Sequence, residues 1–411
     1  MSEQYNKNKS CSTSPMGWNS YDYYNTAVNE EQVKANADYM AKHLKSYGWE
    51  YIVVDIQWSD ERAGEMVPKV QYVPFTHFCL DEYSRQIPAP NRFPSSANGA
   101  GFKPIADYVH ALGLKFGIHI MRGIPRIAAH MHAKILGTER TADQIANPFS
   151  ISRWNGDMYG LDMTKEGAQA YYDSIFALYA EWGVDFVKVD DICNTNMYPQ
   201  NPYSAEKEIE AIAKAIEKSG RNMVLSLSPG PAVIEKALHL KKWANMWRIT
   251  DDFWDEWRLL KAMFERCEVW QEHVCEGCYP DCDMLPIGTL GGGFGNEWHT
   301  RFTFDEQKTM MNLWCIFQSP LMIGAELTKL DDFTKSMLTD SEMLYVQKHG
   351  TKPVQLCRNE NEAVWKNECD DGKVYVALFN LSEEERKVSV NIGEKEVSAV
   401  LAKHASKMFV L

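Results

Sequence analysis

Along the chain, short apolar runs alternate with longer stretches in which apolar positions recur every three or four residues. This alternation persists from about residue 15 to about residue 335, and it is the pattern of a parallel α/β architecture. Six runs read as strands: Tyr51 to Ile56, Lys115 to Met121, Phe186 to Asp190, Met223 to Ser228, Met246 to Thr250, and the segment around Leu321. Many are nearly continuous in apolar residues, as expected of strands covered by helices on both faces.

The helices between them have recognisable ends. Asn29 stands where it can cap a helix with Glu30 and Glu31 in its first turn, running through Val33, Ala37, Met40 and Leu44 and stopping at Gly48. Lys165 to Trp182, before Gly183, predicts a second helix, and Asp305 to Gln318 a third. After about residue 345 the period changes to two, in Lys373 to Phe379, Lys387 to Ile392 and Val397 to Leu401, with Cys369 to Gly372 and Ser382 to Arg386 as turns. The pattern predicts a (β/α)8 TIM barrel over residues 15–340, a small C-terminal antiparallel β-domain over 345–411, and an N-terminal extension of residues 1–14.

Composition narrows the partners. At 411 residues, with 45% hydrophobic and 24% charged, the chain can bury a large core. A formal charge of -13 repels polyanions and offers no basic stripe, so nucleic acid is not an expected partner. The polar opening lacks an apolar export segment, and no apolar run reaches the length of a membrane span. A cytoplasmic enzyme acting on a small molecule or oligosaccharide is the expectation, with room for a homo-oligomer. The ten cysteines then read as reduced thiols. The cluster Cys267, His273, Cys275, Cys278 and Cys282 contains one CxxC, which without a second spaced pair is a weak zinc signal.

Barrel enzymes build their sites at strand C-terminal ends, so polar residues there come first. Asp55 and Gln57, Lys188 and Asp190, Arg248 and Asp252, and Asp281 and Asp283 occupy such ends or the loops after them. Strand alternation places Lys188 and Asp190 on one face and Asp191 on the other. A neighbouring ammonium favours the ionised carboxylate that a nucleophile needs, although a structural ion pair has the same signature. The same parity, if the strand continues, puts Arg248, Thr250 and Asp252 together, while Asp251 or Asp255 reads equally well as a helix cap. Two carboxylates among Trp18, Tyr21, Trp58 and Trp247 suit glycoside hydrolysis, one attacking the anomeric carbon while the other protonates the leaving oxygen. With 13 tryptophans in the chain, core packing accounts for most of them.

These motifs carry a resemblance to the family 27 glycoside hydrolases, the alpha-galactosidase and alpha-N-acetylgalactosaminidase group. It extends from Met16-Gly17-Trp18-Asn19-Ser20-Tyr21 to Ser319-Pro320-Leu321-Met322-Ile323-Gly324 and covers roughly three quarters of the chain. Lys188-Val189-Asp190 looks like the nucleophile motif, with the Lys also on the sugar, and Arg248 four residues before Asp252 looks like the acid/base motif. Asp55 matches a carboxylate that binds sugar hydroxyls, and Asp281-Cys282-Asp283-Met284-Leu285 matches the family's Asp-x-Asp-Met-Leu segment. The resemblance implies the barrel, a C-terminal β-sandwich, net retention of configuration and no cofactor. Beside Asp190 and Asp252 it marks Tyr21, Asp55, Ile56, Trp58, His119, Lys188, Ser228, Arg248 and Asp283 as substrate-binding positions.

Three positions depart from the galactosidase pattern. The usual adjacent aspartate pair is Asp55-Ile56, an aromatic position on strand three is His119, and Ser226-Leu227-Ser228-Pro229 occupies the region around the sugar's 2-substituent. The resemblance therefore implies a retaining exo-glycosidase for terminal alpha-D-galactose-configured residues: alpha-D-galactosides, or the beta-L-arabinopyranosides that lack the exocyclic CH2OH, the latter favoured by Ile56. An alpha-N-acetylgalactosaminidase, a transglycosylase and a noncatalytic sugar-binding barrel are the competing readings.

Overall fold

The computed structural model describes residues 7–64, 78–152, 154–195 and 200–411, so the first six residues of the expected N-terminal extension lie outside the described ones. Eight parallel strands form one sheet: β1 (Met16–Asn19), β2 (Tyr51–Val54), β3 (Lys115–Met121), β4 (Phe186–Asp190), β5 (Val224–Leu227), β6 (Met246–Arg248), β7 (Tyr279–Asp281) and β8 (Leu321–Ile323). Their order is β7-β6-β5-β4-β3-β2-β1-β8. The sheet closes where the segment after β7 meets β8 through a parallel bridge between Leu285 and Ile323, the Leu285 N–H donating to Met322 O at 2.7 Å and the Gly324 N–H to Leu285 O at 3.1 Å. The curled sheet thereby becomes a TIM barrel.

Sequence pattern and structure agree where the signals are local. Asn29 and Gln32 form a reciprocal capping box at the start of helix Glu30–His43, and the chain turns at Gly48 with φ +103°. Helix Ala168–Trp182 ends at Gly183 with φ +84°, and Thr303 with Glu306 caps helix Phe304–Phe317. Three strands are shorter than their apolar runs suggest, β2 ending at Val54, β5 running only from Val224 to Leu227, and β6 ending at Arg248. Two more, Met16–Asn19 and Tyr279–Asp281, fall outside the six runs.

Beyond the barrel, strands Gly350–Arg358, Glu362–Cys369, Val374–Asn380 and Ser406–Val410 make an antiparallel sheet, and a hairpin of Arg386–Ile392 with Lys395–Leu401 packs across it. Strand alternation divides this sheet's faces. Val364, Val376 and Leu378 meet Val388 and Val397 of the hairpin, while Trp365, Ala377 and Phe379 join the barrel core. Each such buried aliphatic side chain stabilises the fold by roughly 1.5–3 kcal/mol. The Thr309 hydroxyl donating to His404 O at 2.7 Å and the Asn367 amide donating to Ile316 O at 2.8 Å tie the sheet to helix Phe304–Phe317.

Candidate active site

The C-terminal ends of the barrel strands surround a cavity of about 260 Å³. Its lining contains eight of the eleven residues singled out from the sequence: Tyr21, Asp55, Ile56, Lys188, Asp190, Arg248, Asp252 and Asp283. Trp58, His119 and Ser228 are buried and do not line it.

Asp190 ends β4 and accepts a hydrogen bond at 2.9 Å from His119 Nε2 on the neighbouring β3. Burial acts to raise the Asp190 pKa, but the Lys188 charge and His119 together outweigh it and hold the carboxyl below its ordinary value. Lys188 Nζ donates to Asp55 Oδ2 at 3.0 Å, and Asn19 Nδ2 donates to the same oxygen at 2.7 Å. Burial again opposes ionisation at Asp55, yet Lys188, His119 and the Ile56 N–H hold it well below the usual carboxylate range. The pair Asp55 and Lys188 therefore presents a fixed anion and a fixed cation to the cavity wall beside Asp190.

Directly after the nucleophile candidate, the strand stops. Asp191 takes a left-handed φ of +57°, and its carboxylate pairs with Arg122 Nη2 at 2.9 Å, away from the cavity. Burial pushes the Asp191 carboxyl up to about 6 against the pull of Arg122. Arg122 also reaches Glu208 at 3.1 Å, and Tyr172 donates to that carboxylate at 2.6 Å. This buried network fixes the turn that leaves Asp190 at the strand tip.

Arg248 at the end of β6 is buried and forks between Asp252 Oδ1 at 3.1 Å and Asp283 Oδ2 at 2.9 Å. The parity argument for Asp252 fails in its premise, because the chain leaves the extended conformation after Arg248. Asp252 is placed instead by the guanidinium, with 59% of its side chain exposed at the cavity mouth. The capping reading of its neighbours is corrected as well. Helix Trp257–Trp270 begins after Glu256 with no side-chain cap, and buried Asp255 accepts from Trp298 Nε1 at 3.1 Å and the Arg301 N–H at 2.7 Å. Asp283 accepts from the Phe253 N–H at 2.8 Å, and burial pushes its carboxyl up to about 7 despite Arg248.

Ile56 lies past the end of β2, so strand alternation does not govern it. It lines the cavity and packs with Met121 and Met158. Trp58 instead packs against Phe102 and Trp182 and donates to His119 O at 2.6 Å, which makes it a core residue that steadies β3. Ser228 is buried with its hydroxyl unpartnered.

Asp22 is a cavity residue that the sequence reading missed. It follows Tyr21 in the short helix Tyr21–Tyr24, is buried, and has one carboxylate oxygen without a hydrogen-bond partner. Burial, and then the nearby Asp283 charge, push its pKa well above the ordinary value. Gly324 makes room for it, since a Cβ there would stand 2.1 Å from Asp22 Oδ2. The signal available in the sequence was Gly324 itself, at the end of the last motif.

Within this chain Cys267 Sγ lies 3.5 Å from Cys282 Sγ, while Cys275 and Cys278 face each other across a two-residue turn. Among the described residues the one group with metal-ligand spacing is Glu206, Glu210 and His239, so the Cys275 cluster does not gather three ligands.

A family model described as Melibiase_2, Alpha galactosidase A, matches residues 163–349. The chain is 49% identical to the GH27 β-L-arabinopyranosidase of Geobacillus stearothermophilus, covering 98% of this chain and 97% of that one with a TM-score of 0.93. A variant of that enzyme has been solved in complex with arabinose. The chain belongs to glycoside hydrolase family 27. A putative alpha-N-acetylgalactosaminidase from Bacillus halodurans C-125 is 48% identical, with 97% and 96% of the two chains covered and a TM-score of 0.86. Human Alpha-galactosidase A is 24% identical over 90% of this chain and 75% of its own length. The protein is thus a glycoside hydrolase. No helix among the described residues is long and apolar enough to cross a membrane.

Proposed function

We propose that this enzyme is a retaining exo-glycosidase that removes terminal β-L-arabinopyranosyl residues in preference to α-D-galactosyl ones. Asp190, kept ionised by Lys188 and His119, attacks the anomeric carbon as the glycosidic bond breaks. Asp252, at the exposed mouth, gives its proton to the departing oxygen. The resulting glycosyl ester at Asp190 is then attacked by water, whose proton returns to Asp252, and two inversions leave the configuration unchanged. Asp55 and Lys188 bind ring hydroxyls, and Arg248 and Asp283 hold the acid in place.

The observation that carries the sugar preference is Ile56 in the cavity wall, packed with Met121 and Met158 where the galactosidase pattern has a second aspartate. An apolar wall there offers no acceptor to an exocyclic hydroxyl and accommodates a ring that lacks CH2OH. The likeness to the Geobacillus stearothermophilus enzyme supports the same reading. Side-by-side assays on nitrophenyl β-L-arabinopyranoside and α-D-galactoside, with the anomer of the first product followed by NMR, test it. A higher kcat/KM for the galactoside would overturn the sugar assignment, and an inverted first product would overturn the mechanism.

A further inference from the structure

Beside the acid at the cavity mouth stands a wall of aromatic rings that the chemistry described above does not use. Trp254, two residues after Asp252, lines the cavity and is half-buried. Its ring meets Phe294 edge-on at 5.7 Å and Trp298 at 6.1 Å, and Phe294 in turn packs edge-on against Tyr21 at 5.7 Å. Phe294 and Trp298 come from the segment between the short helix Gly292–Phe294 and the strand Trp298–His299, remote in sequence from Asp252. Trp298 is itself anchored, its indole N–H on buried Asp255 and the Arg301 guanidinium 5.3 Å from its ring centre. Asp255 thus holds the wall rather than a helix end.

Resting on the reading of Asp252 as the acid, we propose that Trp254, backed by Phe294 and Trp298, is the leaving-group subsite, and that the group it takes is a neutral sugar ring. Atoms beyond the glycosidic oxygen lie near the acid that protonates it, and Trp254 lines the same cavity two residues from Asp252. An indole face accepts the C–H face of a pyranose or furanose, while the exposed carboxylate of Asp251 at its rim accepts hydrogen bonds from ring hydroxyls. The same carboxylate, in a chain of net charge -13, disfavours an acidic sugar. The natural substrate is then an oligosaccharide or a polysaccharide side chain, and the platform discriminates between leaving groups.

The test compares two substrates with the same terminal sugar: a glycosyl fluoride, whose leaving group has no ring, and a disaccharide. Trp254→Ala should lower kcat/KM for the disaccharide by about 3- to 10-fold more than for the fluoride, the range expected for losing an aromatic stack. Trp254→Phe should recover most of the loss. Trp254→Met, which keeps bulk without a π face, should behave like Ala and provides the test where Ala does not fold. Equal losses on both substrates, or none on the disaccharide, would overturn the subsite. The terminal sugar is tested separately by the unmodified enzyme's preference between the two fluorides. The Trp254 ratio is read within one sugar series, so either assignment can fail while the other stands.

Discussion

His119 Nε2 lies 2.9 Å from Asp190 Oδ2, joining a buried imidazole on β3 to the carboxylate at the tip of β4. The register pairs Met121 with Asp190 and His119 with Lys188, so one strand supplies a hydrogen-bond partner for Asp190 while the other supplies its cation. His119 does not line the cavity and its Nε2 meets Asp190, so we propose that it acts through Asp190 rather than on the sugar.

His119→Phe should remove that hydrogen bond while keeping the ring volume. A hydrogen bond to a charged group contributes about 1.5 to 3 kcal/mol, so kcat should fall roughly 10- to 100-fold with little change in KM. Because His119 helps to lower the Asp190 pKa, the acid limb of the pH profile should move to higher pH. A pure KM effect with an unmoved acid limb would place His119 on the substrate instead.

Asp190→Asn should leave the fold intact and reduce turnover by roughly three orders of magnitude or more, since a neutral amide cannot form the glycosyl ester. A fluorinated sugar should label Asp190 in the unmodified enzyme, as read by peptide mass spectrometry. Labelling of a different carboxylate would reject this role.

Asp252→Ala should slow substrates with poor leaving groups far more than activated aryl glycosides, because only the former need a proton in the first step. Azide should partly restore turnover of the activated ones. A uniform loss across leaving groups would mean that Asp252 only completes the Arg248 ion-pair network.

Ile56→Asp should shift the ratio of kcat/KM values toward α-D-galactosides by about 10- to 100-fold, the discrimination that one charge-assisted hydrogen bond supplies. The melting temperature must be measured alongside, because Ile56 is packed with Met121 and Met158. A folded variant with an unchanged ratio would make Ile56 a packing residue only.

Asp283 should make stability fall with rising pH. Burial pushes its folded-state pKa up to about 7, while an unfolded aspartate releases its proton near about 3.9. Between those values the folded chain binds more protons than the unfolded one, so the stabilisation is complete below about pH 4 and is lost as pH rises through about 7. Calorimetry of Asp283→Asn should find it gaining on the parent between pH 4 and pH 8; a constant difference would contradict the raised pKa.

What the sequence by itself determined is whatever acts over a few residues. The capping box of Asn29 and Gln32, the turns at Gly48 and Gly183, the continuous apolar run of β2 and the Lys188 and Asp190 pair were all legible, because caps, turns and strand parity are set by near neighbours. Local parity named the right carboxylate at Asp252 on a premise that fails, and it does not govern Ile56, since where a strand ends depends on its partners and not on its own pattern. Only the tertiary structure decided that Trp58 belongs to the core, that His119 serves Asp190, that Asp255 anchors Trp298, and that Asp22 reaches the cavity past Gly324. Each of these pairs a residue with one on a distant segment. The physical reason is that desolvation and ion pairing depend on which strands and loops the barrel brings together, and closing the sheet through Leu285 and Ile323 is what places those segments around one cavity.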